Sequence, residues 1–288
     1  MQKIKFLMLL MALLTLISPK IYSQTESDKV KSGDQKLEAS DYDGAIKDYS
    51  DAIALNPQNT YAVNNRGISY FYKKDFQNAI ADFTKAIELN PQYVQSYKNR
   101  GDAYRMMKDY ENAITDYKKA VEINPEYADA YGNLGLAYYS QKKYEDAIAN
   151  FDNSLKLAPD KFRIFWYRGK AQARLGNTDK AIEDFTASLK LYPKNADAYY
   201  DRAIANADLK KYDMALADLN SAIELSPNDA DLYLERGNIF LSLEKYPESL
   251  ADYEQTVKLA PKYESDLKTK MDNLKVVIEQ KKNATDKN

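Results

Sequence analysis

Apolar and small residues along this chain fall into helix-length stripes that come in pairs. In residues 94–127, Tyr97, Gly101, Tyr104 and Met107 recur three to four apart, the spacing that places them on one face of a helix. A second stripe, Ala113, Ile114, Tyr117, Ala120, Val121 and Ile123, ends at Asn124. Pro125 follows, which cannot continue a helix and biases its predecessor away from helical backbone. Between the stripes stand Lys108 and Asp109, a polar connection so short that the two helices must fold back antiparallel. The stretch predicts a helical hairpin.

The pattern returns at a step of 34 residues. From Pro125 the step lands on Pro57, Pro91, Pro159, Pro193, Pro227 and Pro261; from Gly101 it lands on Gly33, Gly67, Gly135, Gly169, Ala203 and Gly237. From Ala113 it lands on Ala45, Ala79, Ala147, Ala181, Ala215 and Ser249. Glycine inside a helix costs about 1 kcal/mol relative to alanine. A small residue at one register in seven copies therefore predicts a partner helix passing too close for a larger side chain. One hairpin alone cannot bury both of its stripes, whereas stacked hairpins share a core through nearest-neighbour contacts.

This period, with its order of aromatic, glycine, alanine and proline, resembles the tetratricopeptide repeat. The resemblance covers residues 26–263 and implies an all-α fold, a right-handed α-solenoid of seven helix-turn-helix units. Their boundaries are 26–59, 60–93, 94–127, 128–161, 162–195, 196–229 and 230–263. Residues 264–280, with Leu267, Met271, Leu274 and Ile278 at helical spacing, predict a C-terminal capping helix, and 281–288 a frayed polar tail. Lys29, Ser32 and Lys36 make the first unit polar where other units carry aromatics or arginine, as the outer face of a terminal repeat requires. Pro247 falls in the first turn of a helix, where its missing N–H is tolerated.

Residues 1–23 read as an export signal: Lys3 and Lys5, a 12-residue apolar run from Phe6 to Ile17, then Ile21, Tyr22 and Ser23 before Gln24. Twelve residues are too few to span a bilayer, which weighs against an uncleaved anchor or any integral membrane span. With no cysteine the chain cannot be a lipoprotein. The expectation is a soluble exported protein, periplasmic by the signal's similarity to bacterial ones, or secreted.

Composition narrows the chemistry. Without Lys3, Lys5 and Lys20, 38 basic residues face 43 acidic ones, so no general attraction for nucleic acid is expected. Absence of His and Cys removes the imidazole base, the thiolate nucleophile and the usual zinc site, and no phosphate loop or dinucleotide fingerprint appears. The expectation is no enzyme, no metal and no cofactor. Arg66, Arg100, Arg168, Arg202 and Arg236 precede the small residue of the first helix, and Asp48, Asp82, Asp116, Asp184, Asp218 and Asp252 recur on the second. The fourth repeat changes both at once, to Leu134 and Asn150, which predicts structural Arg–Asp pairs. Repeat one breaks that rule with Ser32. Tyr42, Tyr110, Tyr144, Tyr212 and Tyr246 read as core or hairpin-turn residues.

The resemblance places binding on an inner surface lined by first-helix residues. In the fifth repeat these are Arg163, Trp166, Tyr167, Lys170, Ala173 and Arg174, with Lys98 and Arg105, Asn133 and Tyr139, and Tyr200 from other repeats around them. Asp197, Asp201, Asp208, Asp231 and Glu235 follow, giving a basic, aromatic middle and an acidic C-terminal end. Trp166 is either an interface hot spot or a space-filler between repeats. Some relatives in the family hold a C-terminal carboxylate with a Lys, Asn, Asn, Lys, Arg clamp. Here Lys98, Asp102, Asn133, Arg163 and Tyr167 stand at those positions, departing at Asp102 and Tyr167. The implied partners are other proteins, through peptide or C-terminal segments of acidic or aromatic character. The alternative is self-association as a structural component of an envelope assembly.

Overall fold

A computed structural model describes residues 25–285. The export signal read in residues 1–23 lies outside them. Among the described residues the chain is all-helical and divides into two compact units, residues 25–143 and 144–285. The first unit holds α1 (25–38), α2 (Tyr42–Leu55), α3 (Thr60–Tyr72), α4 (Phe76–Leu89), α5 (Val94–Met106), α6 (Tyr110–Ile123) and α7 (Ala128–Ser140). The second holds α8 (Tyr144–Leu157), α9 (Phe162–Arg174), α10 (Thr178–Leu191), α11 (Ala196–Asp208), α12 (Tyr212–Leu225), α13 (Ala230–Ser242) and α14 (Tyr246–Leu259), then a 3₁₀ turn, Pro261–Tyr263, and α15 (Glu264–Thr285). No helix among the described residues is long and apolar enough to cross a membrane.

Helices adjacent in sequence pack as hairpins, α3 with α4 and α5 with α6 in one unit, α9 with α10, α11 with α12 and α13 with α14 in the other. First helices of successive hairpins also touch, α3 with α5, α5 with α7 and α9 with α11, so in each unit they form one shared wall. Small residues let aromatic rings reach the core: Tyr49, Phe83, Tyr117, Phe151, Phe185 and Tyr253 are buried among alanines. The close approach predicted at the glycines has this ring as its cause. A Cβ on Gly67 would stand 2.7 Å from the Phe83 ring, and one on Gly101 2.7 Å from the Tyr117 ring. Ala203 shares its core with Leu219, which stands at the register of those rings, and the aliphatic side chain leaves room for one methyl group.

Each hairpin turns through one residue in left-handed backbone: Ser40, Lys74, Lys108, Lys142, Lys210 and Glu244 at φ of 56 to 63°, and Gly176 at 77°. Asp41, Asp75 and Asp109 then cap the following helix, accepting from the backbone N–H of Gly44, Asn78 and Asn112. Tyr42, Tyr110, Tyr144, Tyr212 and Tyr246 are the first, half-buried residues of their helices. Met107, counted with the apolar stripe from its spacing, is instead exposed at the end of α5, because the chain has already begun to turn there.

The Arg–Asp pairs are present and reach further than a hairpin. Nε and Nη2 of Arg100 donate to the two oxygens of Asp116, both at 2.8 Å, while Nη1 donates to Thr84 on the preceding α4 at 2.9 Å. Arg66, Arg168, Arg202 and Arg236 repeat the fork with Asp82, Asp184, Asp218 and Asp252, and their Nη1 atoms reach Ser50, Asp152, Thr186 and Asn220. Each guanidinium thus ties three helices. At the third-partner register Leu134 has Lys118, against which a guanidinium would be repelled. Leu134 instead packs on Ala113, Ile114 and Tyr117.

The polar residues of the first repeat also have partners within their own hairpin. Ser32 donates to Asp48 at 2.6 Å, Lys36 lies 2.6 Å from the same oxygen and Lys29 3.8 Å from the other, so the three replace the missing arginine. At the other end, Leu267, Met271 and Leu274 cover Tyr253. The helix runs on to Thr285, past the expected stop at 280. Nothing in 281–285 breaks a helix, and lysines suit a C-terminal turn.

Candidate functional site

Each unit presents a recess on its first-helix wall. In the first, Ile68, Phe71, Phe83, Lys98, Asn99 and Asp102 line a recess of about 140 Å³ between α3, α4 and α5. Lys98, expected to offer a free cation, is 2.7 Å from Asp102 one helical turn on. The same carboxylate accepts from the Tyr117 hydroxyl at 2.6 Å and from Asn133 at 2.9 Å. Three of the five clamp positions therefore close on one another.

Asp102 has a structural cause that sequence reasoning missed. A tyrosine ring buried beneath the small residue must satisfy its hydroxyl, and the residue 15 positions before the tyrosine does so: Asp34 for Tyr49 at 2.7 Å, Asp102 for Tyr117, Asn238 for Tyr253 at 2.8 Å. Where the ring is Phe83, or Leu219 replaces it, that residue is Ile68 or Ile204. The tyrosine–carboxylate spacing was the available signal. Burial, with the Asp102 charge behind it, pushes the Tyr117 hydroxyl far above its ordinary value, so it stays a donor. Arg105 lies half-buried beside that hydroxyl, and Tyr139 is half-buried on α7.

In the second unit Phe185 needs no acceptor, and the residue 15 earlier is Lys170. Lys170, Arg174, Tyr200, Asp201 and Asp208 surround a recess of about 320 Å³ between α9, α10 and α11, with Phe185, Ile204 and Ala205 also in its lining. Three of the predicted residues, Lys170, Arg174 and Tyr200, come together here. Arg163 is exposed on the first turn of α9 and does not line the recess.

Trp166 is half-buried against the cluster of Ala181, Phe185 and Ala205, and its indole N–H donates to Asp201 at 2.7 Å. Its ring meets Tyr167 at a centroid separation of 5.0 Å, and the Lys170 ammonium sits 4.7 Å from the ring centroid. It braces the wall and orients Asp201 and Lys170.

The charge pattern differs from a basic middle beside an acidic end, because cations and carboxylates share the recess. Lys170 is 3.8 Å from Asp201. Burial raises the Asp201 carboxyl above its ordinary value against the pull of Lys170 and the Trp166 hydrogen bond, with Asp197 adding to the rise. Burial, then Glu235, Asp231 and Asp201, lift the Tyr200 hydroxyl to about 12. Arg174 and Asp208 are exposed, so one wall offers a guanidinium and the other a carboxylate across an apolar floor.

Comparisons with known proteins agree with this architecture. Family models described as tetratricopeptide repeat match residues 61–93, 83–115, 128–161, 167–230 and 200–264, and one described as TPR repeat matches 101–142. Among curated proteins none matches significantly. The fold is similar to a solved tetratricopeptide repeat protein from Parabacteroides merdae, at 22% identity over 87% of this chain and 98% of that one, TM-score 0.61. It is similar to the MamA protein at 28% identity over 61% of this chain and 96% of that one, TM-score 0.53. It is also similar to YrrB, described as a TPR protein with an unusual peptide-binding site, at 24% identity over 64% and 94%, TM-score 0.56. Seven-fold recurrence of the hairpin in the sequence, the ring under Gly33, Gly67, Gly101, Gly169 and Gly237 and these matches lead to one conclusion: the chain belongs to the tetratricopeptide repeat family.

Proposed function

We propose that this protein is a protein-interaction scaffold that holds a peptide segment of another protein on the first-helix wall of its second unit. The observation that carries the reading is the recess between α9, α10 and α11, where Arg174 and Asp208 stand exposed on either side of a floor containing Phe185, Ile204 and Ala205. Such a site takes an apolar or aromatic side chain and fixes the flanking backbone with one group of each charge. YrrB, whose likeness to this chain is one of fold, is described as having a peptide-binding site. Lys98 and Asn133 are engaged with Asp102, so the first unit is the weaker candidate.

The test is a peptide-display selection on the purified chain, followed by calorimetry of the selected peptides against wild type, Arg174→Glu and Ile204→Asp. Loss of binding by tenfold or more in both variants, at unchanged helical content, supports the site. Binding retained in both refutes it. We also propose export, on the basic and apolar pattern of residues 1–23. Sequencing the mature N-terminus from fractionated cells tests it, a start near Gln24 being the expected result and an intact Met1 in the cytoplasm the contrary one.

A further inference from the structure

A second recess in the second unit has a different origin: a side chain that other repeats supply is missing. Stepping by 34 from Asn206 reaches Tyr70, Tyr104 and Tyr138 in one direction of the chain and Phe240 in the other, with Gln172 between. Where the ring is present it fills a defined space. Tyr138 packs with Ile114 and Leu134, and the Lys118 ammonium lies 5.8 Å from its centroid. Phe240 lies 5.9 Å from the Arg236 guanidinium. Two repeats further on, the counterparts of Ile114, Lys118 and Leu134 are Ile182 and Thr186 of the fifth repeat and Arg202 of the sixth. These three, with Asn206, Met214 and Asp218, line an open recess of about 330 Å³ between α10, α11 and α12. An apolar cavity of about 150 Å³ is enough to hold benzene.

Two further observations mark this recess. Asn206 is 3% exposed; its Nδ2 donates to Asp218 at 3.4 Å, but its Oδ1 is buried without a donor. A buried acceptor left this way carries a desolvation penalty that an incoming donor would relieve. Met214, 61% exposed, stands where the other repeats carry Gly44, Asn78, Asn112, Asp146, Lys180 and Glu248. An exposed thioether at the rim is adaptable and favours contact with an aromatic ring. Ring loss, donorless acceptor and apolar rim thus coincide in one place.

We propose that this recess is a docking pocket for a tyrosine side chain presented by a partner polypeptide. The phenol takes the space that Tyr70, Tyr104 and Tyr138 occupy in their own repeats, and its hydroxyl brings a donor to the polar side formed by Asn206, Asp218 and Thr186. The site is separate from the first-helix recess, so each can fail without the other.

The experiment is saturation-transfer NMR with p-cresol, toluene and N-acetyl-tyrosinamide on the full chain, in wild type, Asn206→Tyr and Met214→Asn. Expected are transfer to p-cresol and N-acetyl-tyrosinamide in wild type, at least threefold weaker transfer to toluene, loss of transfer in Asn206→Tyr and at least threefold weakening in Met214→Asn. No transfer in wild type overturns the proposal, as does transfer unchanged in the variants. Equal transfer to toluene overturns the choice of tyrosine, and p-cresol without N-acetyl-tyrosinamide overturns a polypeptide source. Should Asn206→Tyr not fold, Met214→Asn carries the test alone.

Discussion

Replacing Arg100 by leucine copies what the fourth repeat does with Leu134, but leaves Asp116 in place. The Asp116 side chain is 5% exposed and that of Arg100 18%, so the substitution strands a buried carboxylate and also removes the bond to Thr84. Breaking a buried ion pair on one side costs about 3–5 kcal/mol, and the cost falls on the charge left behind. Adding Asp116→Asn, which reproduces the Leu134 and Asn150 combination, removes that charge. The double variant should therefore be more stable than Arg100→Leu by about 2 kcal/mol, and the two single costs should exceed the double by that amount plus whatever Asp116→Asn costs alone, a coupling above about 2 kcal/mol. A repeat protein need not unfold as one unit. The assay is accordingly urea unfolding combined with hydrogen exchange at amides of α5 and α6. An Arg100→Leu cost below about 1 kcal/mol, or strictly additive single variants, would refute the claim that this fork is a buried, coupled element.

Other outcomes follow from the same geometry. Gly101→Ala sets a methyl group 2.7 Å from the Tyr117 ring and should lower stability by about 1–3 kcal/mol by urea unfolding, whereas an exposed helix glycine would gain from the change. Lys108 sits in left-handed backbone at φ 62°, so Lys108→Gly should be neutral to stabilising by about 0.5 kcal/mol, and a loss above 1 kcal/mol would count against a strained turn. Acid should affect two carboxyls in opposite ways. Burial pushes Asp48 up, but hydrogen bonds from Lys36 and Ser32 and the lysine charges more than offset it, so its folded pKa lies below the ordinary 3.8. Its contribution is present above that value and is lost as pH falls through the folded pKa, measurable as faster exchange in α1 and α2. Asp201 is raised by burial, so its contribution is present below 3.8 and is lost as pH rises through its higher folded pKa. The Trp166 indole proton, bonded to Asp201, should titrate above 3.8 in NMR, and a midpoint below 3.8 would contradict that burial.

The repeat, its helix pairs and the Arg–Asp forks were legible because each is written seven or five times at fixed spacing along one chain. Less legible were features that depend on which neighbours meet. The third partner of each arginine, Thr84 for Arg100, lies 16 residues back on another hairpin and varies between hydroxyl, amide and carboxylate. Asp102 looked like a disruption of a ligand clamp. The structure shows it as the acceptor for a buried tyrosine, a dependence visible in sequence only once Tyr49 with Asp34 and Phe83 with Ile68 are compared. Lysines counted as free cations, Lys98 and Lys170, lie beside carboxylates one turn or one helix away. The turn at Lys108 was read from its polar connection, but its left-handed backbone was not legible, because lysine occupies that position four times and Gly176 alone displays the preference.

Whether a peptide is held on the first-helix wall of the second unit can be read by NMR with methyl- and arginine-labelled protein and a display-selected peptide. Binding there gives saturable shifts at Arg174, Ile204 and Ala205, with those of Ile148, Leu216 and Leu250 on the second helices unmoved. Shifts confined to the second helices, or selected peptides that leave Arg174 and Ile204 unmoved, would contradict it.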